Sequence, residues 1–108
     1  HIAPKDQDVY DADAFRDKVL CTQQERDFYQ ELLNFGLHDS LDEFLVGPER
    51  FTWWDYRMNA FRRKLGLRID HILLSNTLYE QCLSVEILKP FRKMERPSDH
   101  APVMATTH

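Results

Sequence analysis

Only two cysteines occur in the 108 residues, Cys21 and Cys82, and they lie far apart with no C-x-x-C pair. That scarcity argues against a disulfide framework or a cysteine zinc site, and a reducing compartment, the cytoplasm, is expected. Long apolar runs are missing too, so no membrane-spanning segment is expected. There is no charged-then-apolar leader, and the chain opens at His1 instead of methionine, so a preceding stretch is expected. Repeats and low-complexity tracts are absent. The composition, 43% hydrophobic and 30% charged, is that of one small soluble globular domain.

Positive charge is in deficit, with a formal net charge of −4. A polyanion-binding role normally needs lysine and arginine to displace counterions, so the total argues against one. The charge is unevenly spread, however, and its sign reverses along the chain. Residues 1–49 carry 12 acidic and 4 basic side chains, whereas residues 50–108 carry 6 acidic and 10 basic. Arg57, Arg62, Arg63, Lys64 and Arg68 fall in a stretch from Tyr56 to Ile69 without one acidic residue. Such a local field could hold a polyanion.

The opening segment from His1 to about Phe15 is polar, aspartate-rich and broken by Pro4, which predicts a surface loop with no core face. Thr22-Gln23-Gln24-Glu25 is a capping box at a helix start. Phe28, Leu32 and Phe35 then share a face that Tyr29 and Leu33 widen, and Gly36 stands where a left-handed C-terminal cap is wanted. Leu37 to Leu45 predicts a connecting segment with a helical turn, closed by the Gly47-Pro48 break. Strands are expected at Phe51 to Tyr56, Arg68 to Leu74, Val85 to Leu88 and Ala101 to Thr106. A basic loop is expected at Arg57 to Gly66, a helical turn at Thr77 to Cys82, and a proline-bounded basic loop at Pro90 to Pro97. The class is α+β.

Two sites could carry chemistry. Asp70 lies between Ile69 and His71 in a segment expected to be buried, where a carboxylate needs a partner. Asp99-His100 follows a proline loop and precedes a strand, a place where side chains can face a cleft. If Asp70 bonds one nitrogen of His100, it fixes the tautomer, favours the cation and aims the other nitrogen at a phosphate oxygen. Asp99 would then face a hard cation such as magnesium. Plainer readings stand beside these: Asp70 as a structural hydrogen-bonding residue, Trp53-Trp54 as core packing, and Arg62-Arg63-Lys64 as a solvated loop. His38 and His108 are read as surface residues, and strand alternation turns His71 away from Asp70.

Taken together, Phe51-Thr52-Trp53-Trp54-Asp55-Tyr56-Arg57, Gly66-Leu67-Arg68-Ile69-Asp70 and Pro97-Ser98-Asp99-His100-Ala101-Pro102-Val103 resemble the exonuclease III family of abasic-site endonucleases. Ile2-Ala3-Pro4 with Asp6, Asp8 and Tyr10 resembles the loop after that family's Gly-Asp-x-Asn motif, so the resemblance spans the chain. It implies a DNase I-like four-layered sandwich, two packed mixed β-sheets flanked by helices, of which residues 1–108 form the C-terminal part. The N-terminal half would then be missing, leaving an apolar face that pairs with that half or dimerises.

The resemblance also implies roles. Asp70 would orient the catalytic His100, and Asp99 would be a catalytic acidic residue of the magnesium site, with manganese as a substitute. Trp53, Leu67 and Ile69 would line a pocket for a flipped-out abasic sugar, and Arg57 and Arg68 would contact the DNA backbone. His1 stands where the motif has asparagine, either as a foreign residue ahead of Ile2 or as a substitution. The family's metal-binding glutamate, its tyrosine and the aspartate that activates water would precede His1. The implied activity is hydrolysis 5′ to abasic sites and 3′-to-5′ exonuclease action on duplex DNA, in a bacterial, nucleoid-associated cytoplasmic protein. The alternatives are another phosphoesterase of the same superfamily and a non-catalytic DNA-binding module.

Overall fold

The capping box forms as its sequence dictates. In the computed structural model, which describes residues 1–108 except Pro48, Thr22 and Glu25 exchange their reciprocal bonds at the head of helix α2, Gln23–Asn34. Gly36, at φ +104°, supplies the left-handed turn beyond its end. The apolar stripe behaves differently from expectation: Tyr29 is buried, but Phe28 and Phe35 are 57% and 91% exposed. The expected break at Gly47-Pro48 includes a residue outside those described.

The other helices are short: α1 (Ala12–Phe15), α3 (Ser40–Phe44) and α4 (Asn76–Glu80). Each has an aspartate or serine cap that accepts a backbone N–H, namely Asp11, Asp39 and Ser75. Among the described residues, six strands pair antiparallel into three two-stranded sheets. β1 (His38–Asp39) pairs with β4 (Leu73–Leu74), β2 (Trp53–Trp54) with β3 (Gly66–Leu67), and β5 (Cys82–Ile87) with β6 (Val103–Thr107). The class is α+β, as expected. His38 is tied into this frame, stacked on Tyr79 of α4 with ring centroids 4.4 Å apart. Among the described residues, no helix is long and apolar enough to cross a membrane.

The expected strand from Arg68 to Leu74 is cut down to Leu73–Leu74 at its C-terminal end. Residues 68–70 bond sideways instead: Arg68 N–H donates to the Asp8 carbonyl, and the Ile69 and Asp70 N–H groups both donate to Thr52 Oγ1. A threonine hydroxyl thus replaces two ladder bonds. Beside it, Leu67 and Ile69 bury themselves against Ala3, Val9 and Cys21. Full burial of Leu67 contributes roughly 1.5–3 kcal/mol. The opening segment is therefore part of the core and not a surface loop; burial of Ala3, Asp8 and Val9 is the reason for the correction.

A second cluster joins Phe51, Trp54, Ala60 and Ala101. The β2 and β3 strands pass so closely there that a Cβ on Gly66 would lie 2.5 Å from Trp54 Nε1. Any side chain at Gly66 forces the indole to move.

Candidate active site

β2 organises the site from its two edges. On one side it pairs with β3; on the other, Trp54 N–H donates to the Asp99 carbonyl and Ala101 N–H donates to the Thr52 carbonyl, at 3.0 and 2.8 Å. Residues 99–101 are thus registered against residues 52–54, while Thr52 Oγ1 fixes Asp70 from the opposite side. Two loop ends, 30 residues apart in sequence, meet. His100 Nδ1 lies 2.8 Å from Asp70 Oδ2.

A carboxylate oxygen only accepts, so Nδ1 carries the proton and Nε2 is directed away from Asp70. Nε2 lies 3.8 Å from Asp99 Oδ1. The Trp53 indole N–H donates to Asp99 Oδ2 at 2.9 Å, holding that carboxylate beside the imidazole. On the far side of Asp70, its Oδ1 is 3.3 Å from His1 Nε2, and the two imidazole rings have centroids 5.0 Å apart. The Asp70, His100 and Asp99 side chains are 21%, 30% and 36% exposed, open enough for a ligand to reach them.

A second anchor comes from Arg92, which the sequence places in a basic loop. It is buried, donates to the Trp54 and Asp55 carbonyls, and lies over the rings of Tyr56 and Phe61. Tyr56 hydroxyl donates to the Pro97 carbonyl. Together these contacts clamp the hairpin turn onto the loop that carries Asp99 and His100. Neither Thr52 nor Arg92 has a local signal, since both act through carbonyls and amides far away in sequence.

A cleft of about 480 Å³ opens beside the pair, lined by Asp70, His100, Ser98, Pro97, Met94 and Phe91 among others. The structure corrects three assignments here. Leu67 and Ile69 are 0% and 4% exposed and belong to the core, so they do not wall an open pocket. Arg68 is fully buried and cannot touch a duplex: its guanidinium donates to Asp8 at 2.8 and 3.1 Å and to Asp39 at 2.7 Å. Those two carboxylates outweigh the desolvation that would lower it, so its pKa is raised. Trp53 is half-buried at the site's edge. Arg57 is at the surface in a forked pair with Asp55, and that hydrogen bonding holds the Asp55 carboxyl down to about 2.

The donors differ in the cations they suit. His1, Asp70 and His100 present three ligand atoms within 4.8 Å of one another. Two imidazoles and one carboxylate suit a transition ion better than magnesium, and the short Nδ1 to Asp70 bond marks the group as a hydrogen-bonded triad. Asp99 offers a hard oxygen, Oδ1, with its other oxygen held by Trp53. That fits one position of an octahedral oxygen shell.

A model of the endonuclease/exonuclease/phosphatase family matches residues 12–100. The chain is 42% identical to exodeoxyribonuclease III of Haemophilus influenzae, an alignment covering 97% of this chain and 42% of that protein. Among solved structures, it superimposes with TM-score 0.93 on a 3′ phosphatase, NExo, from Neisseria bound to a product DNA hairpin, at 45% identity over 99% of this chain and 42% of that one. An AP endonuclease from Archaeoglobus fulgidus gives a TM-score of 0.88 at 34% identity, covering 98% of this chain and 42% of that one. The chain therefore spans about two fifths of the length of these relatives.

Proposed function

Since this chain belongs to the endonuclease/exonuclease/phosphatase family, we propose that the complete protein is a divalent-metal DNA repair nuclease. It hydrolyses the phosphodiester bond 5′ to abasic sites and removes nucleotides from 3′ ends of duplex DNA. The observation that carries this reading is the Asp70–His100 pair at 2.8 Å, set beside an Asp99 carboxylate that Trp53 holds. The named activities of the relatives, an exodeoxyribonuclease, a 3′ phosphatase and an AP endonuclease, support it.

In this reading Asp70 keeps the imidazole in one tautomer, and His100 Nε2 faces a non-bridging oxygen of the scissile phosphate. Magnesium, or manganese in its place, would neutralise charge developing on that phosphate, with Asp99 among the residues that hold it. Arg57, exposed in the β2–β3 connection, positions the backbone of the duplex without reading sequence. The 108 residues act as the C-terminal part of a four-layered sandwich, and its N-terminal half supplies the remaining ligands and the water-activating carboxylate. Phe28, Phe35, Leu83 and Met104 are exposed here, apolar surface of the kind that such a half covers. The isolated chain is inactive, and the whole works in a bacterial cytoplasm on nucleoid DNA.

The test is incision of a duplex containing one abasic site by the complete gene product, with magnesium and then with chelator, beside an undamaged duplex. Magnesium-dependent cutting that His100→Ala abolishes is expected. A folded protein that binds the duplex without cutting it would replace the nuclease with a binding module, a reading that the His1 contact to Asp70 favours. Turnover of small phosphate esters alone would move it to another phosphoesterase.

A further inference from the structure

His71 follows Asp70 between β3 and β4, and the two side chains take different partners, Asp70 bonding His100 while His71 bonds Arg68 and Ile2. There it is only 16% exposed, beside the buried charges of Arg68, Asp39 and Asp8 and the ring of Tyr29. Its Nδ1 lies 3.0 Å from Arg68 Nη1, and its Nε2 lies 2.7 Å from the Ile2 carbonyl oxygen. A guanidinium has no lone pair to offer and a carbonyl has no proton, so both bonds form in one arrangement alone. Nδ1 accepts, Nε2–H donates, and the ring is neutral. Burial and the neighbouring Arg68 cation push its pKa down, in the direction that this arrangement requires.

Arg68 is itself fixed by the two carboxylates of Asp8 and Asp39. His71 thus extends a rigid charge network to the carbonyl of Ile2, the residue next to His1. Further along, Ala3 N–H donates to the Leu20 carbonyl and Arg26 Nε donates to the Ala3 carbonyl. The bond from His71 is the one nearest residue 1 in the chain. Residue 1 in turn places its Nε2 at 3.3 Å from Asp70 Oδ1.

We propose that His71 is a positioning residue for the reaction: through its bond to the Ile2 carbonyl it sets the side chain at residue 1 against Asp70 and His100. The inference rests on the nuclease reading above. His71 touches neither substrate nor metal, and it acts through residue 1 alone.

The test uses the complete protein and a duplex with one abasic site. His71→Phe keeps a ring and removes both nitrogens; His71→Gln restores an amide donor and a carbonyl acceptor. Each is measured alone and in a His1→Ala background. Displacing a group by about 1 Å near the reacting atoms costs on the order of 10²-fold. His71→Phe should therefore lower kcat between about 10- and 100-fold with KM within about twofold, and His71→Gln should recover most of it. With His1→Ala already present, His71→Phe should change kcat less than about twofold, since nothing remains to be positioned. Equal losses in both backgrounds, or equal losses for Phe and Gln that track a fall in melting temperature, overturn the inference. A wild-type protein without turnover is a separate failure, that of the nuclease reading. The His100 Nδ1 proton resonance then still decides: it must move in His71→Phe, and an unmoved resonance sinks the positioning role.

Discussion

Two clusters that pair aspartates with basic side chains lie within a few residues of each other, around Arg68 and around Asp70. In the first, Asp8 Oδ1 accepts from Arg50 Nε and Arg68 Nε, and Asp8 Oδ2 accepts from Arg68 Nη2 and the Lys5 backbone. Asp39 accepts from Arg68, Tyr29 hydroxyl and the Asp42 backbone. All four charged residues, Asp8, Asp39, Arg50 and Arg68, are nearly or fully buried. In the second, Asp70, Asp99 and His100 are partly open, and among the described residues His100 Nε2 and Asp99 Oδ1 have no short bond. Saturated partners make structure, whereas spare atoms at a cleft make chemistry. Whether a carboxylate is catalytic depends on what its partners leave free.

Removing one member from each cluster should separate these roles. His100→Ala in the complete protein should lower incision about 10³-fold or more while shifting the denaturant midpoint little, because a general acid or electrostatic group contributes to turnover and a partly open pair adds little stability. Arg68→Met should do the reverse. It takes the arginine from buried Asp39 and one of two from buried Asp8, which costs about 3 kcal/mol, read as a lower urea midpoint. An Arg68→Met protein of wild-type stability would mean that the buried network is slack, and the contrast between the clusters would collapse. A smaller effect is expected at the border between them. Trp53→Phe preserves packing but removes the N–H that holds Asp99 Oδ2, so the magnesium concentration for half-maximal turnover should rise about tenfold. Unchanged metal dependence would show that the indole does not orient that carboxylate.

The two clusters are not equally legible in the sequence. Asp70 and His100 can be paired from their positions, one in an apolar run and one at a loop end before a strand, although residue roles beyond that geometry rest on the proposed function. Helix α2 can be read because a capping box is complete within four residues. Arg68 is misleading because its neighbours from Tyr56 onward are basic and its true partners, Asp8 and Asp39, lie 60 and 29 residues away. The burial of Ala3 and Val9 is invisible for the same reason: their packing partners Leu67 and Ile69 come from a distant part of the chain. Local propensity also cannot see that Thr52 will take over two backbone bonds and cut a strand short. What stays hidden in each case is a contact across long sequence separation.

The gentlest way to load the buried cluster is with protons. His71 accepts from Arg68 at its edge, and burial together with that cation depresses its pKa below the ordinary 6.5. Below pH 6.5 the unfolded chain takes up a proton that the folded chain refuses. Stability therefore falls as pH drops through 6.5 and levels off once the folded imidazole is also protonated. The half-buried Asp55 behaves oppositely in range: held down to about 2 by Arg57, its contribution is intact at neutral pH and is lost only as pH falls from about 4 through 2. Between about pH 7.5 and 5.5 the Asp55 pair is therefore silent and His71 is not. The complete wild-type protein should lose more stability over that interval than His71→Gln, which cannot titrate, when both are followed by urea unfolding. Identical losses in the two proteins would place the acid sensitivity elsewhere. In that event the neutral imidazole between Arg68 and Ile2 would not be the form that the buried cluster requires.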